Sequence, residues 1–142
     1  MADTILVPID GSEQAWNALD YVLREHEDDE IHLLHVINPM EGVYASDAMG
    51  GDYWAGWYDA SEQRASRLFE EARERAGDRA GDLVTDHETG APARTIVDYA
   101  EAEGVDHIVI GSHGRSGVSR VLLGSVAEAV ARRASVPVTI VR

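Results

Sequence analysis

Four short, almost unbroken apolar runs, at residues 4–9, 31–37, 105–110 and 136–141, constrain this chain more than any other feature, because helical periodicity separates them. The first of them, 4–9, is what a strand buried on both faces looks like, which requires helices above and below a parallel sheet. Asp10-Gly11-Ser12 breaks the first run, and Ser12 can cap a helix with Ala15, Trp16, Leu19, Val22 and Leu23 on its apolar side. Ala65, Leu68, Phe69 and Ala72 line one face of a helix expected over residues 61–76. Residues 82–88 read as a weaker third strand. Pro92 then sits in the first turn of a helix striped by Ile96, Val97 and Ala100. Pro137 leads into the last run. Five strands joined by helical crossovers predict an α/β fold: an open five-stranded parallel sheet, Rossmann-like, with helices on both faces. A length of 142 residues, with no internal repeat or linker, fits one domain over 1–142.

Ligands of such sheets bind at the carboxyl ends of the strands, near the point where strand order reverses. Three distant places converge there: Pro8, Ile9 and Asp10 after the first strand, Val36 at the end of the second, and residues 111–125 after the fourth. That last stretch carries Gly111, His113, Gly114, Arg115, Gly117 and Gly124, and it runs into a helix near Ser125 and Val126. Glycines let the backbone approach an anion, while successive N–H groups and a helix N-terminus supply positive charge. The chain has a formal charge of −14, yet no Asp or Glu occurs from His107 to Ala127, and Arg115 and Arg120 make the interval basic. It reads as a place kept clear for a negative ligand. Ser125 with Glu128 also fits a capping box, so Ser125 is read both as a ligand contact and as the cap of the last helix. Asp10 has the parallel alternative of capping the first helix, and Val36 that of plain sheet core. His113 and the two arginines are read either against a phosphate or on the loop surface. Glu128 opposes an anion at this place, which points to Mg²⁺ as a bridging ion.

Composition removes several classes. Twenty-six acids face 12 bases, all of them Arg, and this balance opposes nucleic-acid binding, which draws its affinity from cationic contacts to phosphates. No run reaches the roughly 18–20 apolar residues of a membrane span. No cysteine is present, so there is no disulfide framework, thiolate chemistry or Cys-based zinc site. No basic region precedes the first strand, so no signal peptide is expected and a cytoplasmic location is. An acidic chain without lysine suggests a halophilic host, whose salt-filled cytoplasm screens the self-repulsion. Residues 38–60 are long for a connector and hold Tyr53, Trp54, Trp57 and Tyr58. They read as a lid, as a partner surface, or as a segment folded back on the second helix.

Gly111, Gly114, Gly124 and Ser125 together give G-x2-G-x9-G-S, which resembles the ATP-binding signature of the universal stress protein family. Ile-Leu-Val-Pro-Ile-Asp-Gly-Ser resembles that family's first strand, Leu-Leu-His-Val-Ile its second, Val-Asp-His-Ile-Val-Ile-Gly-Ser-His-Gly its fourth, and Ser-Val-Pro-Val-Thr-Ile-Val-Arg its last. The resemblance implies ATP, with Mg²⁺, held with its phosphates against Gly111 and Gly114, its adenine and ribose facing Asp10, and Val36 against the base. It also implies a homodimer through the terminal strand, 136–141, whose apolar edge would otherwise be bare. No G-x-S-x-G elbow, H-E-x-x-H helix or Walker loop occurs, and no catalytic base is evident. The expectation is a nucleotide-dependent stress-response protein. Two other readings stay open: a dimeric interaction protein of the same fold that binds no nucleotide, and a slow or partner-dependent ATPase.

Overall fold

The computed structural model describes residues 2–43, 53–112 and 123–142. In chain order the elements are β1 (Thr4–Pro8), α1 (Glu13–Glu25), β2 (Glu30–Ile37), α2 (Tyr53–Ala76), a 3₁₀ turn (Gly77–Asp82), β3 (Leu83–Thr89), α3 (Pro92–Ala102), β4 (His107–Gly111), α4 (Ser125–Arg133) and β5 (Val138–Val141). The strands form one parallel sheet in the order β3-β2-β1-β4-β5. This is the open Rossmann-like α/β architecture expected from the apolar runs. Strand order reverses between β1 and β4, so the chain builds outward from β1 to one side and then crosses to the other.

Alternation along the central strands sorts the core into two layers. Ile5, Val7 and Ile9 of the first strand segment join Ile31, Leu33 and Val109 on one face, under α1 and α2. Leu6, Leu34, Ile108 and Ile110 face α3 and α4 on the other. Residues such as Ile5, Leu6, Leu33, Leu34 and Ile108 are 0 % exposed, each contributing about 1.5–3 kcal/mol on burial. α1 begins where Ser12 accepts from the Ala15 N–H at 3.2 Å, as its sequence suggested. Pro92 occupies the first turn of α3, where its missing N–H removes no helical bond.

Boundaries shift where the chain departs from simple periodicity. α2 starts at Tyr53 rather than near residue 61. Trp57 and Ser61 carry the helical spacing of Arg64, Ala65 and Leu68 back toward the N-terminus, although Gly56 and aromatic residues have weak helix propensity. Tyr58 is anchored by a 2.9 Å hydrogen bond between its hydroxyl and Thr89 Oγ1. The later part of 38–60 is therefore helix. β3 begins at Leu83, because Asp82 ends the 3₁₀ turn. β5 begins at Val138, since Pro137 has no N–H, although its carbonyl accepts from Ile108 at 3.0 Å. Among the described residues, no helix is long and apolar enough to cross a membrane.

Candidate functional site

A cleft of about 500 Å³ opens at the carboxyl edge of the sheet, across β2, β1 and β4. Pro8, Ile9, Asp10 and Val36 line it. Gly111, Gly124, Ser125 and Val126 line it from the other side of the reversal point. His113, Gly114, Arg115 and Gly117, with Arg120, lie outside the described residues.

β1 ends in a tightly determined turn. Asp10 Oδ1 accepts from the Ser12 N–H at 2.9 Å, so the carboxylate shapes the turn while Ser12 caps α1. Gly11 has φ +86°, a conformation open mainly to glycine. Asp10 is half-buried at the cleft wall. Val36 is also half-buried, packed against the layer under α3 and α4 while bordering the cleft.

On the β4 side, Gly111 is the last strand residue and pairs in register with Val141. A β-carbon there would meet the backbone of α1, at 2.7 Å from the Gln14 carbonyl carbon. The close approach of α1 thus accounts for this glycine, independently of any anion. The Gly124 N–H donates to the Ser112 carbonyl at 2.7 Å, clasping the two ends of the intervening segment. That bond fixes Gly124 in extended conformation, ψ 150°, and makes it the N-cap of α4. The capping box expected from Ser125 and Glu128 does not form: Ser125 is the first helical residue, and no side chain caps the helix. Glu128 turns instead to Arg132, one turn on, at 2.9 Å. The first helical bond runs from the Glu128 N–H to the Gly124 carbonyl, leaving the Val126 and Ala127 N–H groups without helical acceptors at the cleft. α3 likewise enters at the cleft through Pro92, with no side-chain cap. Two helix N-termini therefore direct positive potential into the same space.

Sequence reasoning missed the α1/α2 wall. Arg64 of α2 donates from Nη2 to the Asp10 carbonyl at 2.9 Å. The buried His35 lies 2.8 Å from the Ile9 carbonyl through Nδ1, and because a carbonyl only accepts, that nitrogen carries the proton. Trp57, Asn38 and Ser112 also line the cleft. A signal was present: Arg64 and His35 are polar residues at apolar-stripe positions of a helix and a buried strand. Away from the cleft, His32 bridges Tyr99 Oη at 3.1 Å and Glu30 at 2.8 Å, and Tyr99 donates to Asp86 at 3.3 Å. Burial, then the Asp86 charge, pushes the Tyr99 hydroxyl well above the usual tyrosine range, so it stays protonated. Among the described residues, no three His, Cys, Asp or Glu side chains converge on a metal position.

A family model described as the universal stress protein family matches residues 1–142. The chain is 33% identical over 150 residues to universal stress protein YxiE of Bacillus subtilis, with 100% of each covered. It is 32% identical over 158 residues to universal stress protein MJ0577 of Methanocaldococcus jannaschii, covering 100% of this chain and 96% of that one. The solved structure of MJ0577 matches with a TM-score of 0.83 over 99% of this chain and 96% of that chain, at 33% identity. A universal stress protein solved in complex with cAMP matches with a TM-score of 0.70 at 26% identity, over 99% and 97% of the two chains.

Proposed function

We propose that this chain, which belongs to the universal stress protein family, binds an adenine nucleotide, ATP foremost, in the cleft at the carboxyl ends of β1 and β4. The observation that carries this reading is the pairing of the Asp10 turn with the uncapped N-terminus of α4 across one cleft. The Val126 and Ala127 N–H groups suit phosphate oxygens, and Ser125 is exposed beside them. Asp10 suits the other end of the ligand, because a carboxylate repels phosphate but accepts from a ribose hydroxyl or the adenine amine. Val36 offers the base an apolar contact. His113, Gly114, Arg115 and Gly117 enter the reading by their spacing in the sequence. A relative of the same fold bound to cAMP supports an adenine-containing ligand. Mg²⁺, in this reading, arrives with the triphosphate, since the described residues supply no cluster of ligands for it.

The same reading makes the protein a nucleotide-dependent stress-response component rather than an efficient hydrolase. It also takes 136–141 as the contact of a homodimer: β5 is an edge strand, and Ile140 is 37% exposed on it. Calorimetric titration with ATP and AMP, with and without Mg²⁺, tests the binding. Heat of binding and a rise in melting temperature with ATP are expected. Neither effect would turn the reading toward an interaction protein that leaves the cleft empty.

A further inference from the structure

Past Pro8, the last residue of β1, Ile9 and Asp10 line the cleft, and the carbonyls of both are bonded by side chains. Each is held by a side chain from a different element: Ile9 by His35 of β2 at 2.8 Å, and Asp10 by Arg64 of α2 at 2.9 Å. Gly11 makes room for the second contact. A β-carbon on it would stand 3.1 Å from Arg64 Nη2 and 3.3 Å from Leu68 Cδ2, and its φ of +86° is itself strained for any other residue. The Asp10 carboxylate is then tied to the backbone N–H of Ser12. The orientation of the carboxylate thus follows from the backbone of residues 9–12, and that backbone follows from Arg64 and His35. Arg64 is also the one Arg or Lys among the described residues lining the cleft, where its charge offsets Asp10 and Glu41.

We propose that Arg64 is the positioning residue for Asp10: it fixes the carboxylate that reads the nucleoside end of the ligand, and it ties that carboxylate to α2. The inference rests on the reading of the cleft as a nucleotide site. It places the effect of Arg64 on adenine and ribose, not on the phosphates, and it assigns α2 a part in recognition that the glycine spacing does not reveal.

The test measures affinity for ATP and for adenosine in wild type, Arg64→Met, Asp10→Ala and the double variant, at temperatures where circular dichroism shows each folded. Arg64→Met is expected to weaken both ligands by the same factor, roughly three- to tenfold for a lost charged hydrogen bond acting at one remove. On the Asp10→Ala background the same change should cost less than about twofold, since residues acting as one unit are not additive. Arg64→Lys, which keeps a charged donor for the Asp10 carbonyl, should restore most of the affinity, and it carries the test if Arg64→Met does not fold. A loss confined to ATP, full additivity in the double variant, or unchanged affinities with only a lower melting temperature each overturn the proposal. Wild type that binds neither ligand overturns the nucleotide reading with it, whereas wild type that binds while Arg64 is inert overturns this inference alone.

Discussion

The backbone nitrogen of Ala15 lies 2.8 Å from the point where a β-carbon on Gly111 would stand, with the Gln14 carbonyl oxygen at 2.9 Å. The opening turn of α1 is thus seated directly on the end of β4. Real β-carbons do not approach backbone so closely, so Gly111→Ala must lift α1 or bend β4. Overpacking of this kind costs about 1–3 kcal/mol. The expected outcome is a lower melting temperature in ligand-free protein, measured by circular dichroism. A variant as stable as wild type would show that α1 moves freely here.

Ser125→Asp separates helix stability from ligand binding. Ser125 is exposed in the first turn of α4, where a negative charge favours the helix dipole. Without ligand, the variant should gain about 0.3–1 kcal/mol at low salt. With ATP, the same charge faces the phosphates, and affinity should fall at least about tenfold, or 1.4 kcal/mol. If stability and affinity move in the same direction, the phosphates do not lie at this helix end.

Stability should decline on mild acidification through His107. Burial, reinforced by His26 whose ring lies 5.7 Å away, holds the His107 pKa below its ordinary 6.5. The unfolded chain therefore takes up its proton first, and stability falls as pH drops below that ordinary value. The contribution is fully present above 6.5 and is lost as pH falls from there through the depressed folded value. His107→Gln, whose amide can pair with the Thr139 hydroxyl in either sense, should flatten the dependence of melting temperature on pH between about pH 7.5 and 5. Asp29 acts lower: the Asp3 N–H and His26 hold its carboxyl below 3.8, so its contribution disappears only as pH falls through the depressed value. Urea midpoints across the pH range check both.

Salt should stabilise the fold. A formal charge of −14 opposes compaction, and the Debye length shrinks from about 10 Å at 0.1 M to 3 Å at 1 M. Exposed pairs such as Arg94–Asp98 at 3.9 Å contribute little and lose little on screening. Melting temperature should therefore climb from low salt to molar KCl. A flat profile would remove the halophilic reading of the lysine-free composition.

The interior of the fold was legible because β1, β2 and β4 are buried on both faces, and their apolar runs say so without ambiguity. β3 was faint for a physical reason: it is an edge strand whose Asp86, His87 and Glu88 meet solvent or polar neighbours. The start of α2 was hidden because weak helix formers stand there, and it is the bond of Tyr58 to Thr89, far off in the sequence, that ties this turn to the sheet. Asp10, Val36, Gly111 and Gly124 pointed to the carboxyl edge of the sheet, where the cleft opens. Arg64 and His35 did not, since their partners are backbone carbonyls 54 and 26 positions away. A carbonyl has no side-chain identity, so two polar residues stood out of apolar stripes while nothing in the sequence named their partners. Ser125 misled because its capping box is genuine in spacing, while the clasp between Gly124 and Ser112 had already started the helix one residue earlier.

That clasp has a consequence for how such a protein can change. With the Gly124 N–H held on the Ser112 carbonyl at 2.7 Å, the sheet and α4 meet at a fixed junction. The N-terminus of α4 is thus held at the end of β4 by backbone alone, so a side-chain change at Ser125 or Val126 alters what the cleft offers without releasing the helix that borders it.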